Sequence, residues 1–234
     1  MPRDESTQNG LPCPEARLTR GDRWPIRSVY GIGRNYAAHA RELGNPVPES
    51  PVVFLKPTGC LIGDGGIITL PPESNDVQHE AEIVLLLGRG GRHLDRNQAW
   101  ERIAGYGVGI DVTARDLQRK AQAEGKPWTI AKGFDSFGPI SDFVPAEQIT
   151  DRNDLKFDLS VNQQIRQSGN SRNMLFDCAA LISYLSRIFT LHAGDLIFTG
   201  TPEGVARISH GDVLHARLVD YDISLRVTAA SPGL

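Results

Sequence analysis

The fold of this chain is decided by one stretch of sequence, HEAEIVLLL at residues 79–87. Side chains alternate faces along a β-strand, and here the apolar residues occupy both the odd and the even positions after the second glutamate. A strand with two apolar faces is predicted to be buried on both sides. The same alternation places Glu80 and Glu82 on one face, within a few ångströms of each other.

Two carboxylates this close repel each other, and buried carboxylates need a partner. A second apolar segment, residues 103–110, ends at Asp111 and adds a third carboxylate at a strand terminus. Such sets of oxygen donors suit Mg²⁺ or Mn²⁺, with water or substrate in the remaining positions. The alternative is that Glu80 and Glu82 simply face water, as charged residues on a half-exposed strand commonly do.

Composition excludes several classes of function. The 234 residues include 25 basic and 28 acidic side chains, and no long basic cluster occurs, so nucleic acid is not an expected partner. The three cysteines, Cys13, Cys60 and Cys178, have no C-x-x-C spacing and indicate neither a disulfide framework nor a zinc site. No apolar signal segment and no run of ~18 apolar residues is present, so we expect a cytoplasmic protein without a membrane partner.

Short apolar runs bounded by turn residues outnumber helical patterns along the chain. Residues 1–25 lack periodicity and are predicted to form an irregular leader before one domain at residues 26–234. The predicted strands are residues 26–32, 52–55, the stretch around 80–87, 103–110, 155–161, 164–167, 196–199, 213–218 and 223–227. The predicted helices are residues 36–43, 98–103, 114–124 and 175–189. This pattern is typical of a β-rich α+β domain.

His39 and Glu42 lie three residues apart on a predicted short helix, so their side chains are neighbours. Glu42 can orient the imidazole while His39 deprotonates a water molecule. An exposed His and Glu pair on a surface helix is the commoner explanation of this spacing. The spacing alone leaves both interpretations open.

Six motifs occur in order along the chain. They are GRNYAAH at 33–39, FLKP at 54–57, HEAE at 79–82, DVTARD at 111–116, AKGFD at 131–135 and TGTPEGV at 199–205. Their combination resembles the fumarylacetoacetate hydrolase family, and within it the acylpyruvate hydrolase branch, whose mammalian member also decarboxylates oxaloacetate. The resemblance runs from residue 26 to the C-terminus. It implies a mixed β-roll with a few short helices, a bound Mg²⁺ or Mn²⁺ ion and a homodimer.

The resemblance also implies roles for individual residues. The metal ligands are Glu80, Glu82 and Asp111, and the pair on the short helix becomes a catalytic dyad. Lys132 becomes an active-site ammonium that stabilises an enolate, although a lysine whose charged end reaches the surface is the ordinary alternative.

Five further residues are candidates for binding the substrate. Gly200 lets backbone donors approach a ligand, and the Thr201 hydroxyl can bind a carboxylate, although this segment taken alone is only a turn. Arg34, Arg115 and Gln118 are candidates for gripping the carboxylate or the distal group of the substrate. Arg115 could instead pair with a structural aspartate.

The implied enzyme is a hydrolase acting on carbon–carbon bonds in ketonic substances. It would cleave acylpyruvates, 2,4-dioxo acids such as fumarylpyruvate or acetylpyruvate, to pyruvate and a carboxylic acid in aromatic catabolism. Two other reactions on the same metal site stay open, namely decarboxylation of oxaloacetate and isomerisation of a 2-hydroxymuconate-type diacid. A protein that binds 2-oxo acids without catalysis is the remaining alternative.

Overall fold

The computed structural model describes residues 14–42, 44 and 46–231. The strands are β1 (Glu15–Arg17), β2 (Arg23–Pro25), β3 (Val29–Gly33), β4 (Val52–Lys56), β5 (Leu61–Ile62), β6 (Ile67–Thr69), β7 (Val77–His79), β8 (Ala81–Leu87), β9 (Ile103–Ile110), β10 (Thr113–Ala114), β11 (Gly138–Pro139), β12 (Val144–Pro145), β13 (Lys156–Val161), β14 (Gln164–Asn170), β15 (Leu196–Phe198), β16 (Ala206–Arg207), β17 (Val213–Leu218) and β18 (Ile223–Ala230). The helices are α1 (Ala37–Glu42), α2 (Arg96–Trp100), α3 (Arg115–Ala123), α4 (Thr129–Lys132) and α5 (Cys178–Ile188).

Two large mixed sheets dominate the described part of the chain. One has six strands in the order β12-β9-β8-β15-β3-β4, and the other has five in the order β14-β13-β17-β18-β6. Most neighbours are antiparallel, whereas β15 with β3 and β18 with β6 are parallel. Short helices connect or cover these sheets. The predicted β-rich α+β class is therefore confirmed.

Strand β8 lies in the middle of the six-stranded sheet, between β9 and β15. All seven of its residues are buried. Ile83, Leu85 and Leu87 belong to the main apolar core, whereas Val84 and Leu86 belong to a second cluster on the opposite face. The prediction of a strand with two buried faces is confirmed.

The chain passes from one sheet to another at Glu80. Strand β7 pairs with β10 and β16 in a three-stranded sheet, and β8 then joins the six-stranded sheet. The partner strands make the same passage, because β9 pairs with β8 and β10 pairs with β7. Asp111 lies in that second passage, and its N–H donates to the Glu80 carbonyl at 2.8 Å. Both acidic residues are thus held where the two sheets meet.

The N-terminal segment differs from the sequence prediction. Strands β1 and β2 form an antiparallel pair within the predicted irregular leader. Ala16 and Leu18 are buried, and the Thr19 N–H donates to the Phe143 carbonyl at 2.9 Å. A pattern of two apolar residues is too short to reveal such a strand in the sequence. Residues 1–13 lie outside the described residues, and the division at residue 25 stays a prediction.

Other differences concern the ends of elements. Helix α2 begins after Asp95, because the Asp95 side chain and Gln98 form a reciprocal capping box. The hairpin between β13 and β14 turns at Asn162 and Gln163 as predicted, with φ values of 50° and 68°. Leu43, the predicted last residue of the first helix, lies outside the described residues.

The described helices are short, and α5 is the longest of them with 11 residues. None of them combines the length and apolar character needed to span a membrane.

Replacing Gly109 with alanine should destabilise the protein by about 1–3 kcal/mol, because the core here is already filled. A Cβ at Gly109 would lie 2.7 Å from side-chain atoms of Val84 and Phe198, both fully buried. Urea unfolding measures the change. Gly59→Ala is the matched control, since its Cβ would meet no described atom within 4 Å, and we expect a change within about 0.5 kcal/mol. Equal losses in the two variants would contradict this packing explanation.

Candidate active site

The three predicted metal ligands lie together in the structure. One oxygen atom from each of Glu80, Glu82 and Asp111 lies within 4.8 Å of the others. All three side chains are buried, so the alternative in which the glutamates face water is wrong. The sheet junction holds Glu80 and Asp111 opposite each other, and Glu82 follows on β8 with its side chain on the same face.

Lys132 binds two of these carboxylates directly. Its Nζ donates to Glu80 Oε2 at 2.7 Å, to an Asp111 oxygen and to the Thr113 hydroxyl at 2.8 Å. Burial lowers the pKa of Lys132, but the charges of Asp111 and Glu80 outweigh that effect and raise it. Lys132 is therefore a buried ammonium and does not reach the surface. The sequence had offered the surface position as the ordinary alternative.

Glu80 lies between two cationic side chains. Besides Lys132, its partner is the Arg115 guanidinium, which donates to Glu80 Oε1. Burial raises the pKa of Glu80, but the charges of Lys132 and Arg115 hold it well below its usual range. The two cations therefore favour the charged form of this carboxylate.

Glu82 has a different environment. Its Oε2 accepts from the Gly200 N–H at 2.7 Å, and no cationic side chain among the described residues bonds to it. Burial, followed by the charges of Asp111 and Glu80, raises the pKa of Glu82 well above its usual range. A divalent metal ion fits this set, because it would supply the positive charge that Glu82 lacks and three oxygen donors surround its position.

Lys56 is a second buried lysine that sequence reasoning did not assign to the site. Its Nζ donates to Asp111 Oδ1 at 2.7 Å and to the Lys132 carbonyl. Lys56 therefore positions Asp111, a predicted metal ligand, and also Lys132, which pairs with Asp111. The available signal was a lysine that ends an apolar strand directly before Pro57.

The predicted dyad is formed on α1. His39 Nδ1 lies 3.1 Å from Glu42 Oε2, and Glu42 Oε1 accepts from the Gly204 N–H at 2.9 Å. His39 is buried, unlike the exposed pair considered as the alternative. With Nδ1 engaged by Glu42, Nε2 is the nitrogen left for proton transfer. The catalytic role of the pair stays a prediction.

One cavity brings most of the predicted residues together. Its volume is about 30 Å³. The predicted residues that line it are Arg34, His39, Glu80, Glu82, Arg115, Gln118, Lys132 and Thr201. Gln122 and Trp128 line it as well, and the sequence analysis assigned neither to the site.

Arg115 and Gln118 bond to each other within this cavity. Arg115 donates to Gln118 Oε1 at 2.6 Å and to Gln78 Oε1 at 2.9 Å, in addition to its ion pair with Glu80. Arg115 thus pairs with a carboxylate, but the partner is a predicted metal ligand and not a structural aspartate. Substrate binding by these two residues stays a prediction.

The turn at residues 199–202 is hydrogen-bonded to β8, the strand that carries Glu82. The Thr201 hydroxyl donates to the Ala81 carbonyl at 2.7 Å and accepts from Gln167 Nε2 at 2.8 Å. Gln167 Oε1 in turn accepts from the Ala81 N–H at 2.9 Å. Gly200 has a φ of 98°, which glycine adopts without strain and which aims its N–H at Glu82. Sequence reasoning missed Gln167, because only the fold brings β14 against β8.

A family model described as "Fumarylacetoacetate (FAA) hydrolase C-terminal" matches residues 28–227. Two relatives are similar in sequence. The oxaloacetate decarboxylase of Dictyostelium discoideum, a mitochondrial protein, is 44% identical over 201 residues, which are 86% of this chain and 92% of that protein. A mitochondrial oxaloacetate tautomerase of Arabidopsis thaliana is 44% identical over 205 residues, with the same shares of the two chains.

A solved structure is similar over most of this chain. The crystal structure of fumarylpyruvate hydrolase from Pseudomonas aeruginosa, in complex with Mn²⁺ and pyruvate, has a TM-score of 0.89 and 36% sequence identity. The match covers 93% of this chain and 96% of that one.

Glu82→Gln should separate stability from metal binding. Glutamine has the same shape as glutamate but lacks the negative charge, which burial and the nearby Asp111 and Glu80 disfavour. The free energy of unfolding of the metal-free protein should therefore stay equal or rise. Stabilisation by Mn²⁺, about 2.7 kcal/mol at a concentration of 100 times Kd, should be lost. Thermal unfolding in EDTA and in MnCl₂ measures both quantities.

The matched control is Asp158→Asn, at a largely buried carboxylate that pairs with Arg217 at 2.6 Å. This variant should lose stability but keep the Mn²⁺ effect. A Glu82→Gln protein that Mn²⁺ stabilises as strongly as the wild type would exclude Glu82 as a ligand.

Proposed function

This chain belongs to the fumarylacetoacetate hydrolase family, and from that premise we propose that it is a divalent-metal enzyme that converts oxaloacetate through an enolate. The observation that supports this most is the position of Lys132, which bonds both Glu80 and Asp111 in a cluster of three carboxylates. An ammonium in a buried site stabilises negative charge that develops on a neighbouring oxygen.

A divalent cation held by the three carboxylates would polarise the 2-oxo group and orient the adjacent carboxylate of the substrate. Lys132 would hold a positive charge beside the oxygen on C2, where negative charge accumulates. In decarboxylation, the bond between C3 and the distal carboxylate breaks, CO₂ leaves, and the electron pair remains as the pyruvate enolate. A proton then adds to C3 and gives pyruvate.

In tautomerisation, a proton leaves C3 and another adds to the oxygen on C2. His39 is the group that would move these protons, because Glu42 engages its Nδ1 and leaves Nε2 free beside the cavity. The two oxaloacetate reactions share the enolate and differ in which bond at C3 breaks. The relatives at 44% identity, a decarboxylase and a tautomerase, support this substrate.

Hydrolysis of an acylpyruvate is the second candidate function. The formed dyad favours it, since His39 held by Glu42 can deprotonate a water molecule for attack on the C4 carbonyl. The similar structure of a fumarylpyruvate hydrolase with Mn²⁺ and pyruvate also supports it. In this reaction the bond between C3 and C4 breaks, and the pyruvate enolate is again the leaving group.

The remaining assignments are proposals of the same kind. Mg²⁺ or Mn²⁺ suits the oxygen donors, and a homodimer follows from the family resemblance. A cytoplasmic location stays a prediction. Cys60 and Cys178 are buried free thiols, as in a reducing compartment, while Cys13 lies outside the described residues.

Purified protein with Mg²⁺ or Mn²⁺ should convert oxaloacetate faster than it cleaves acetylpyruvate or fumarylpyruvate. Loss of enol absorbance measures tautomerisation, and coupled reduction of pyruvate measures decarboxylation. The Glu82→Gln protein corrects for the reaction that free metal ions catalyse. No acceleration of oxaloacetate turnover above this control would overturn the main proposal, and rapid acylpyruvate cleavage would favour the second candidate.

His39→Ala should distinguish the reactions. Steps that need proton transfer by the imidazole, namely tautomerisation and acylpyruvate hydrolysis, should slow by about 10²–10⁴-fold. Decarboxylation should slow by less than about tenfold, because its bond breaking needs no base and solvent can protonate the enolate. Calorimetric titration should show unchanged Mn²⁺ affinity. Equal losses in all reactions would contradict a role in proton transfer.

A further inference from the structure

Arg34 differs from the other cations near the three carboxylates. Lys132, Arg115 and Lys56 each form an ion pair with a predicted metal ligand. Arg34 lines the same cavity and is half-buried. Within residues 14–42, 44 and 46–231, no acidic side chain pairs with it. Its guanidinium is therefore available to a ligand.

The backbone holds Arg34 in an unusual conformation. Its φ is 60°, in the left-handed region that favours glycine. The next residue, Asn35, fixes this geometry, since its side chain donates to the carbonyls of Phe176 and Thr199 and accepts from the Phe176 N–H. Strained residues that the surrounding structure fixes in this way cluster at functional sites. In this conformation the Arg34 side chain lines the cavity, which is consistent with a functional role for the strained backbone.

Charge balance indicates what Arg34 binds. The three paired cations have their carboxylate partners within the cluster, whereas Arg34 has no acidic partner among the described residues. A divalent ion would be matched by the carboxylate and the enolate oxygen of a 2-oxo acid. A second carboxylate on the substrate would be the partner of Arg34. A monocarboxylate would leave the half-buried guanidinium without a partner.

We propose that Arg34 is the specificity-determining residue for a second carboxylate, and that the preferred substrate is a short dicarboxylic 2-oxo acid. This inference rests on the proposed function of the cavity. The guanidinium can donate two parallel N–H groups to a carboxylate, a geometry that an ammonium does not reproduce. Arg115 then positions Glu80, and Arg34 binds the distal carboxylate of the substrate.

The test uses binding as well as turnover. With Mg²⁺ present, calorimetry compares 2-oxoglutarate with 2-oxovalerate, which differ in a terminal carboxylate against a methyl group. The wild type should bind the diacid about 10- to 100-fold more tightly, as a charge-assisted pair provides. Arg34→Asn, whose side chain tolerates the left-handed backbone, should reduce this preference to about threefold or less.

Arg34→Asn should also raise the KM for oxaloacetate about 10- to 100-fold, with a smaller change in kcat. The affinity for oxalate, which has no distal group, should stay within about threefold. Arg34→Lys should recover part of the diacid preference. Arg41→Gln is the matched control, because it removes one positive charge from an exposed arginine of α1 that lines a different pocket, and it should change none of these values.

The outcomes separate this inference from the proposed function. The wild type could fail to turn over oxaloacetate and still bind 2-oxoglutarate preferentially, with that preference lost in Arg34→Asn. This result would support Arg34 as the carboxylate-binding residue and overturn the proposed oxaloacetate reaction. Equal weakening of oxalate and the diacid in Arg34→Asn, no change in either, or the same effect in Arg41→Gln would overturn the role of Arg34.

Discussion

Burial of three carboxylates at one point is the constraint on which the rest of this structure depends. Removing charges from water is unfavourable unless cations and hydrogen-bond donors replace the lost hydration. Lys132 and Lys56 bond Asp111, and Arg115 bonds Glu80. Their long side chains come from different elements and converge on the junction of two sheets. The fold thus brings cationic side chains from distant parts of the sequence to one acidic centre.

The sheet junction fixes the position of the acidic centre through hydrogen bonds to neighbouring segments. A strand that stays in one sheet uses its backbone groups along a single ladder, whereas β7 and β8 change partners around Glu80. The groups released at this point find side-chain partners, since the Ala81 N–H donates to Gln167 and the Ala81 carbonyl accepts from Thr201. These hydrogen bonds connect β8 to the turn at residues 199–202, where the Gly200 N–H donates to Glu82. Metal ligands that are fixed in this way need little rearrangement on binding.

The predictable part of the site was the part carried by local pattern. Alternation within residues 79–87 was sufficient to predict two buried faces and a paired Glu80 and Glu82, and the structure agrees. The partners of those carboxylates were not predictable in the same way. Lys56 and Gln167 reach the site through contacts between distant segments, and neither a lysine at the end of a short strand nor a glutamine within an exposed one has a periodic signature. The hairpin that contains Ala16 was missed because its strands have three residues each.

The division of labour between the arginines shows how one acidic centre can serve several reactions. Decarboxylation, tautomerisation and acylpyruvate hydrolysis share an enolate, so Lys132 and the carboxylates can be common to all of them. What differs is the chemistry beyond C3. A water molecule activated by His39 would lead to hydrolysis, whereas the Arg34 guanidinium, which has no acidic partner among the described residues, would favour a substrate whose far end is a carboxylate. Arg115 already bonds Glu80, Gln78 and Gln118, whereas Arg34 has no acidic partner among the described residues. On this proposal the choice of substrate depends on Arg34, while the chemistry common to the three reactions depends on Lys132 and the carboxylates.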